Sequence, residues 1–382
     1  MEKKSMISKG TRMVNMECLR CIAMMMVVVL HYLGKGNLLG NLGAPNMSAV
    51  GIVSWGLESL AIVAVNVYML ISGYFLCETS YKISRLVKLY IQVWSYSVGV
   101  GLLSVLLGWV DQATVDTHFF LQLIFPVSMG HYWFITAYVF LYLVLPFLGI
   151  AIKKMTKRQF QVSLFLVLFF FCILKSILPV RLETDAKGYD GFWYICVFMT
   201  AAYFRKYGIP VLNKKIKGFL LYICSAGLIF GGTMALHWIY ITKGKMGLLL
   251  EWFIEYNHVF VLLAAIGIFA AFLRMDEKTK NAKSVNWICK ISGYTLGVYL
   301  LHENLGVRFV WQKWLFADQI SNVPELFLYL CLAVIVVFGI GIVIEAVRSL
   351  LMKRLHSVLM HVKPYEKVIL YIEETDRNFA KD

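Results

Sequence analysis

An all-α bundle of about ten membrane-spanning helices is the fold this chain predicts, and three observations carry it. Apolar runs of about twenty residues recur from end to end, each long enough to cross a hydrocarbon core of roughly 30 Å. Only 15% of residues are charged against 60% hydrophobic, with a mean hydropathy of +0.71, far from a soluble domain. The cations are also sorted between the loops. The expected spans are 14–33, 53–76, 86–110, 131–152, 159–178, 190–205, 218–242, 253–273, 286–306 and 325–350. With the amino terminus inside, inner segments carry clusters such as Lys3/Lys4/Lys9/Arg12, Lys153/Lys154/Lys157/Arg158 and Lys214/Lys215/Lys217. Of 37 Lys and Arg, 28 fall on that side and 7 on the other, with Arg20 and Lys175 inside spans. This is the positive-inside asymmetry, and it predicts a multi-pass plasma-membrane protein with both termini cytoplasmic.

The net charge of +15 is therefore topology, not a groove for nucleic acid, and no nucleic-acid partner is expected. The first apolar run carries Arg20, ends in His31-Tyr32 and has no small-residue cleavage site, so it reads as a span and not as a leader. Eight cysteines are scattered, mostly within spans, and imply no disulfide framework. Cys18 and Cys21 form a lone C-x-x-C that reads as packed thiols, and no metal is expected. Residues 1–350 form one membrane domain; 351–382 form a cytoplasmic basic tail that starts as a helix near anionic lipid heads. Self-association is left open.

Span 1 carries the clearest chemistry. Arg20 and His31 are eleven residues apart, close to three helical turns, so both share one stripe and lie roughly 16 Å apart along the axis. Glu17, one turn before Arg20, shares the stripe and is suited to orient the guanidinium as an i,i+3 partner. Ionisable groups at such depth face a bundle interior or a wet cavity and mark a functional path. An interfacial His with a snorkelling Arg is the plainer alternative.

The later spans add candidates. Span 2 holds Asn66 at mid-depth, Ser72-Gly73 suited to close helix approach, and Glu58 at a depth from which His31 is reachable. Arg85-x-x-Lys88 opens span 3 as two cations one turn apart, a natural phosphate clamp. The segment 113–130, broken by Pro126 and Gly130, is too short to span. His131-Tyr132-Trp133-Phe134 opens span 4 as an expected interface belt, followed by Tyr138, Tyr142 and Pro146. The loop 179–190, with Arg181, Glu183, Asp185 and Asp190, reads as outward and polar. Span 8 carries Glu255-Tyr256-Asn257-His258. Span 9 carries Ser292-Gly293-Tyr294-Thr295, Tyr299 and His302-Glu303, which reads either as a second acid–base pair or as solvated boundary residues.

Together these segments resemble the membrane acyltransferase-3 family, which acetylates cell-surface glycans and related acceptors. Arg12, Glu17, Leu19-Arg20, Ile22-Ala23, Val28-Val29 and His31 look like its opening motif, with the Arg-x10-His spacing. Asn66-Val67-Tyr68 with Ser72-Gly73-Tyr74 is similar to its second-span signature, and Arg85-x-x-Lys88 to its Arg-x-x-Arg element. Trp133-Phe134, Tyr142 and Pro146 fit its middle pattern; Ser292, Thr295, Tyr299 and His302 fit its late one. The resemblance covers residues 12–350. Glu17 replaces the usual Asp, Lys88 loses an arginine's bidentate fork, and Ala201-Ala202 stands where Gly is usual.

The resemblance implies an acetyl-CoA or other acyl-CoA donor arriving from the cytoplasm at Arg20, Arg85 and Lys88. Its acyl group would pass to a hydroxyl of a surface polysaccharide or lipid-linked glycan. His31 would serve as general base, with an acyl-His intermediate left open. Arg20 would orient the donor or stabilise the developing oxyanion, and Glu17 completes the catalytic set. Glu58, Asn66, Trp133, Tyr142, Asn257, His302 and Glu303 are the candidates for holding the acceptor. A transporter or flippase of a polar or lipid-linked saccharide, and a non-catalytic binding module, are the competing readings.

Overall fold

The computed structural model describes residues 13–178, 186–275 and 282–379, so Lys3, Lys4, Lys9, Arg12, Arg181, Glu183 and Asp185 lie outside the described residues. Among the described residues every regular element is helical. The first helix, α1 (Val14–Lys35), follows the apolar run and stops at Gly34 and Gly36. Ser48 starts α2 (Ala49–Ala61) by accepting from the Gly51 N–H at 3.1 Å. A turn at Ile62-Val63 leads into α3 (Ala64–Leu76), and the pair reads as one long crossing. Then come α4 (Ile83–Leu106) and the short α5 (Thr117–Ile124), capped by Asp116. Next, α6 (Trp133–Lys154) carries Pro146 inside it. A Thr156/Gln159 capping box opens α7 (Lys157–Leu168), which passes through a π-turn into α8 (Leu174–Ile177).

The remaining helices are α9 (Gly191–Tyr207), α10 (Lys215–Lys243), α11 (Val259–Leu273), α12 (Ala282–Ser292), α13 (Thr295–His302), α14 (Trp311–Trp314), α15 (Val323–Leu359) and α16 (Lys363–Phe379). Eight stretches are long and apolar enough to cross a membrane. Two predicted spans differ from this standard. The sixth is α9, with 17 residues. The ninth is broken at Gly293-Tyr294 into α12 and α13, and at the break the Ser292 hydroxyl donates to Glu17. The end expected at 350 falls inside α15, and α16 packs back on α4, where the Ser84 N–H donates to Asp376.

Packing follows small residues. In the absence of a hydrophobic driving force between helices in lipid, close approach of backbones supplies the contact. A Cβ on Gly73 of α3 would lie 2.9 Å from the Ala201 methyl of α9, so one glycine admits the alanine where the family usually has another. A Cβ on Gly218 of α10 would meet the Gly267 carbonyl of α11 at 2.6 Å, and the reverse contact is equally tight. Around these crossings α1 and α3 form the centre, with Met16, Leu19, Val28, Val67, Met69 and Leu70 fully buried.

Asn66 sits in that centre with no exposure, and it is structural. Its amide donates to the Tyr256 carbonyl at 2.8 Å and its carbonyl accepts from Trp193 Nε1 at 3.0 Å, tying α3 to α9 and to the segment before α11. Asn66→Ala strands a buried N–H and C=O, and about 1–3 kcal/mol of stability is expected to go with them. A lowered melting transition of the detergent-purified protein checks this.

Candidate active site

His31, near the end of α1, is one-fifth exposed and meets two neighbours through one ring nitrogen. Its Nδ1 is 2.9 Å from His302 Nε2 and 3.2 Å from Glu303 Oε1. His302 Nδ1 lies 2.6 Å from the Val298 carbonyl. A carbonyl only accepts, so that nitrogen carries the hydrogen and His302 Nε2 offers a lone pair. His31 Nδ1 must then be the donor, which leaves its Nε2 unprotonated. That nitrogen makes no hydrogen bond among the described residues. Glu303 is ion-paired with Lys35 at the last turn of α1.

His302 and Glu303 are buried, against the reading of solvated boundary residues. Their turn is held from behind. Tyr132 donates to the Leu300 carbonyl at 2.9 Å and accepts from Asn304 Nδ2 at 3.0 Å. His131 Nε2 accepts from the Leu305 N–H at 3.0 Å, and its Nδ1 meets Ser97 Oγ at 2.9 Å. The Ser97 hydroxyl donates onward to the Leu123 carbonyl at 2.8 Å. His131 and Tyr132 are thus buried scaffold and not the interface belt their position suggested, because each polar atom finds a partner inside the bundle.

Two cavities meet at this site. A small one of about 30 Å³ is lined by His31 with Val65, Tyr68, Trp133, Phe134, Leu296 and Tyr299 among others. A larger one of about 280 Å³ opens where Arg20, Arg85, Tyr142 and Ser292 stand. Tyr68, Phe134 and Leu296 line both and form the wall they share. Glu17 accepts from Arg20 at 2.6 Å and from Ser292 Oγ at 2.5 Å, and the Tyr68 hydroxyl donates to the Arg20 carbonyl at 3.0 Å. The guanidinium is held by its own helix while its free edge faces the cavity.

The predicted residues divide accordingly. His31, His302 and Glu303 are brought together, as are Glu17, Arg20 and Arg85. Arg20 lies three turns from His31 along α1 and lines the larger cavity. Lys88 is exposed and does not line the cavity. Trp133 lines the His31 cavity, stacked on Tyr256 at 5.6 Å. Tyr142 lines the other one, exchanging hydrogen bonds with the Lys82 backbone. Asn257 accepts from Lys175 at 2.6 Å beside the Lys175–Glu255 ion pair of 2.8 Å, a buried structural cluster. Glu58 acts electrostatically on Tyr189 and Tyr256 and does not line the His31 cavity.

Three further residues stand at the site, of which the sequence singled out Tyr299 alone. The Tyr299 hydroxyl is buried without a hydrogen-bond partner in the His31 cavity. Arg308 and Lys35 both act electrostatically on His31 and both lie over the Phe309 ring. Lys35 lies one helical turn after His31 on α1, whereas nothing in the spacing of Arg308 marks it, since it reaches the site through the turns after α13.

A family described as "Acyltransferase domain" matches residues 13–342. The chain belongs to the membrane acyltransferase-3 family. No curated protein and no solved structure matches it. Membership makes this an acyltransferase of the membrane, and both cavities lie within the matched stretch.

His31, His302 and Glu303 also offer three ligand atoms within 4.8 Å of one another, a set able to hold a metal ion. Their charge environment works against a dication: Lys35 already neutralises the one carboxylate, and Arg308 adds a second cation. Diethyl pyrocarbonate, which acylates an unprotonated imidazole nitrogen, is expected to label His31 and to spare His302 and His131. Mass mapping of the modified protein checks this.

Proposed function

We propose that this acyltransferase moves an acetyl or related acyl group from cytoplasmic acyl-CoA to a hydroxyl of a cell-surface glycan or its lipid-linked precursor. The arrangement that supports it most is a pair of cavities that share Tyr68, Phe134 and Leu296 as a closed neck, with arginines on one side and the His31 imidazole on the other. With the amino terminus inside, as the cation sorting argues, the Arg20 end faces the cytoplasm. CoA is strongly anionic there, and Arg20 and Arg85 supply planar donors matched to its phosphates. A thin pantetheine arm is the kind of group that fits past Tyr68, Phe134 and Leu296 once these side chains part.

His31 Nε2 then takes the proton of the acceptor hydroxyl as its oxygen attacks the thioester carbonyl carbon. The imidazolium is stabilised by Glu303 on the far side of the ring, with His302 holding the ring's orientation. The Tyr299 hydroxyl is placed to donate to the oxyanion, an interaction made only as charge develops. When the C–S bond breaks, the proton passes from His31 to the departing sulfur, leaving an ester and free CoA. Trp133 and Tyr256 offer ring faces for a sugar near the hydroxyl.

The test is release of free thiol from acetyl-CoA by the purified protein with acceptor present. His31→Gln is expected to lower that rate by about 10²–10⁴, the usual worth of a positioned base. Leu296→Trp, which fills the neck, is expected to abolish it while the melting transition stays in place. A His31→Gln protein at wild-type rate would overturn the assignment. Mass spectrometry of surface glycans from cells with and without the protein would identify the acceptor by a mass difference of one acetyl group.

A further inference from the structure

The charges around His31 do not sum to zero. Glu303 and Lys35 cancel, and with both imidazoles in their neutral form they add no charge. Arg308 remains. Its Nε is buried without a partner, and among the described residues its guanidinium makes no hydrogen bond and no ion pair. A guanidinium has five N–H donors and stays charged. The Nε donor, buried and unused, is costly to leave so unless a ligand completes it, and the half-buried head keeps its other donors open to the same ligand.

The surroundings give that cation a direction. Its charge is felt by His31, His131, Tyr132 and Tyr299, the residues that line or support the small cavity. Phe309, 64% exposed, lies under both Arg308 and Lys35 and presents them as a pair at its rim. The Arg308 carbonyl accepts from Gln312 Nε2 at 2.8 Å, and the same amide reaches the His31 carbonyl at 3.3 Å, so the arginine's turn is fastened to the catalytic helix. Cations are scarce on this side of the chain, which makes an unpaired one at the site harder to treat as topology.

We infer that Arg308 binds an anionic group, a phosphate or a carboxylate, carried by the acceptor close to the hydroxyl that His31 deprotonates. The substrate class is then a negatively charged glycan or polyol, and the uncompensated positive charge selects it over neutral sugars. That Arg308 binds an anion follows from its own geometry; that the anion belongs to the acceptor rests on the transfer reading above.

Isothermal titration of the detergent-purified full chain, without acyl donor, separates these. The probes are glucose, glucose 6-phosphate and glucuronate. One or both anions are expected to bind at least about 10-fold more tightly than glucose, the lower range for a charge-assisted contact. Which anion does so distinguishes phosphate from carboxylate. Arg308→Gln is expected to erase the difference, Arg308→Lys to keep part of it, and Arg85→Gln to leave it intact. Melting transitions confirm that each variant is folded. Equal binding of all three probes overturns the proposal. So does an anion preference that survives Arg308→Gln or disappears in Arg85→Gln, which would place the anion in the larger cavity. Thiol release is measured separately, so its absence would count against the transfer reading while the titration still decides the anion site.

Discussion

The contact on which the site depends is the hydrogen bond from His302 Nδ1 to the carbonyl of Val298, one turn earlier in the same helix. A carbonyl admits no alternative proton position, so this contact sets the tautomer of His302, and through it that of His31. Base strength is thereby directed to one nitrogen without any titratable partner having to change state. In a low-dielectric interior such fixed dipoles act at nearly full strength, because no water reorganises to oppose them.

That contact holds only because the turn after α13 cannot move. Tyr132, Asn304, His131 and Ser97 form a closed chain of hydrogen bonds that grips the backbone at Leu300 and Leu305. Each member is buried, and each would be costly to expose to hydrocarbon alone. The same logic separates scaffold from chemistry across the bundle. Asn66 and Asn257 look functional by residue type, yet their polar atoms are occupied. The Tyr299 hydroxyl and the Arg308 Nε are buried and unoccupied beside the His31 cavity, where a substrate can supply what the protein withholds.

Much of this was legible from periodicity alone. Apolar runs located the crossings, and the Glu17–Arg20–His31 stripe pointed to a path through α1 because helical geometry links residues three and eleven apart. Ser72-Gly73 announced a close helix approach, though not that Ala201 of α9 is what it meets. What stayed hidden depends on rotation between helices. Glu58 has the right depth but does not line the His31 cavity. Tyr142 lines the cavity of the arginines and not that of His31. The break at Gly293-Tyr294 was invisible to hydropathy, since both halves read as one apolar run. Arg308 carried no signal, because its isolation is a fact about partners that never arrive.

The two ends of the path pose opposite electrostatic problems. At the arginine end, charge can be generous, since Glu17 steadies Arg20 and Arg85 stands exposed. At the histidine end, a surplus cation bears directly on the base. Transient protonation of His31 places a second positive charge near Arg308, which raises the barrier unless an anion is already bound. An acceptor that brings its own negative charge removes that penalty at the moment of proton transfer. Selectivity and catalysis are then served by one uncompensated guanidinium: a neutral sugar entering the same cavity would leave the imidazolium facing it.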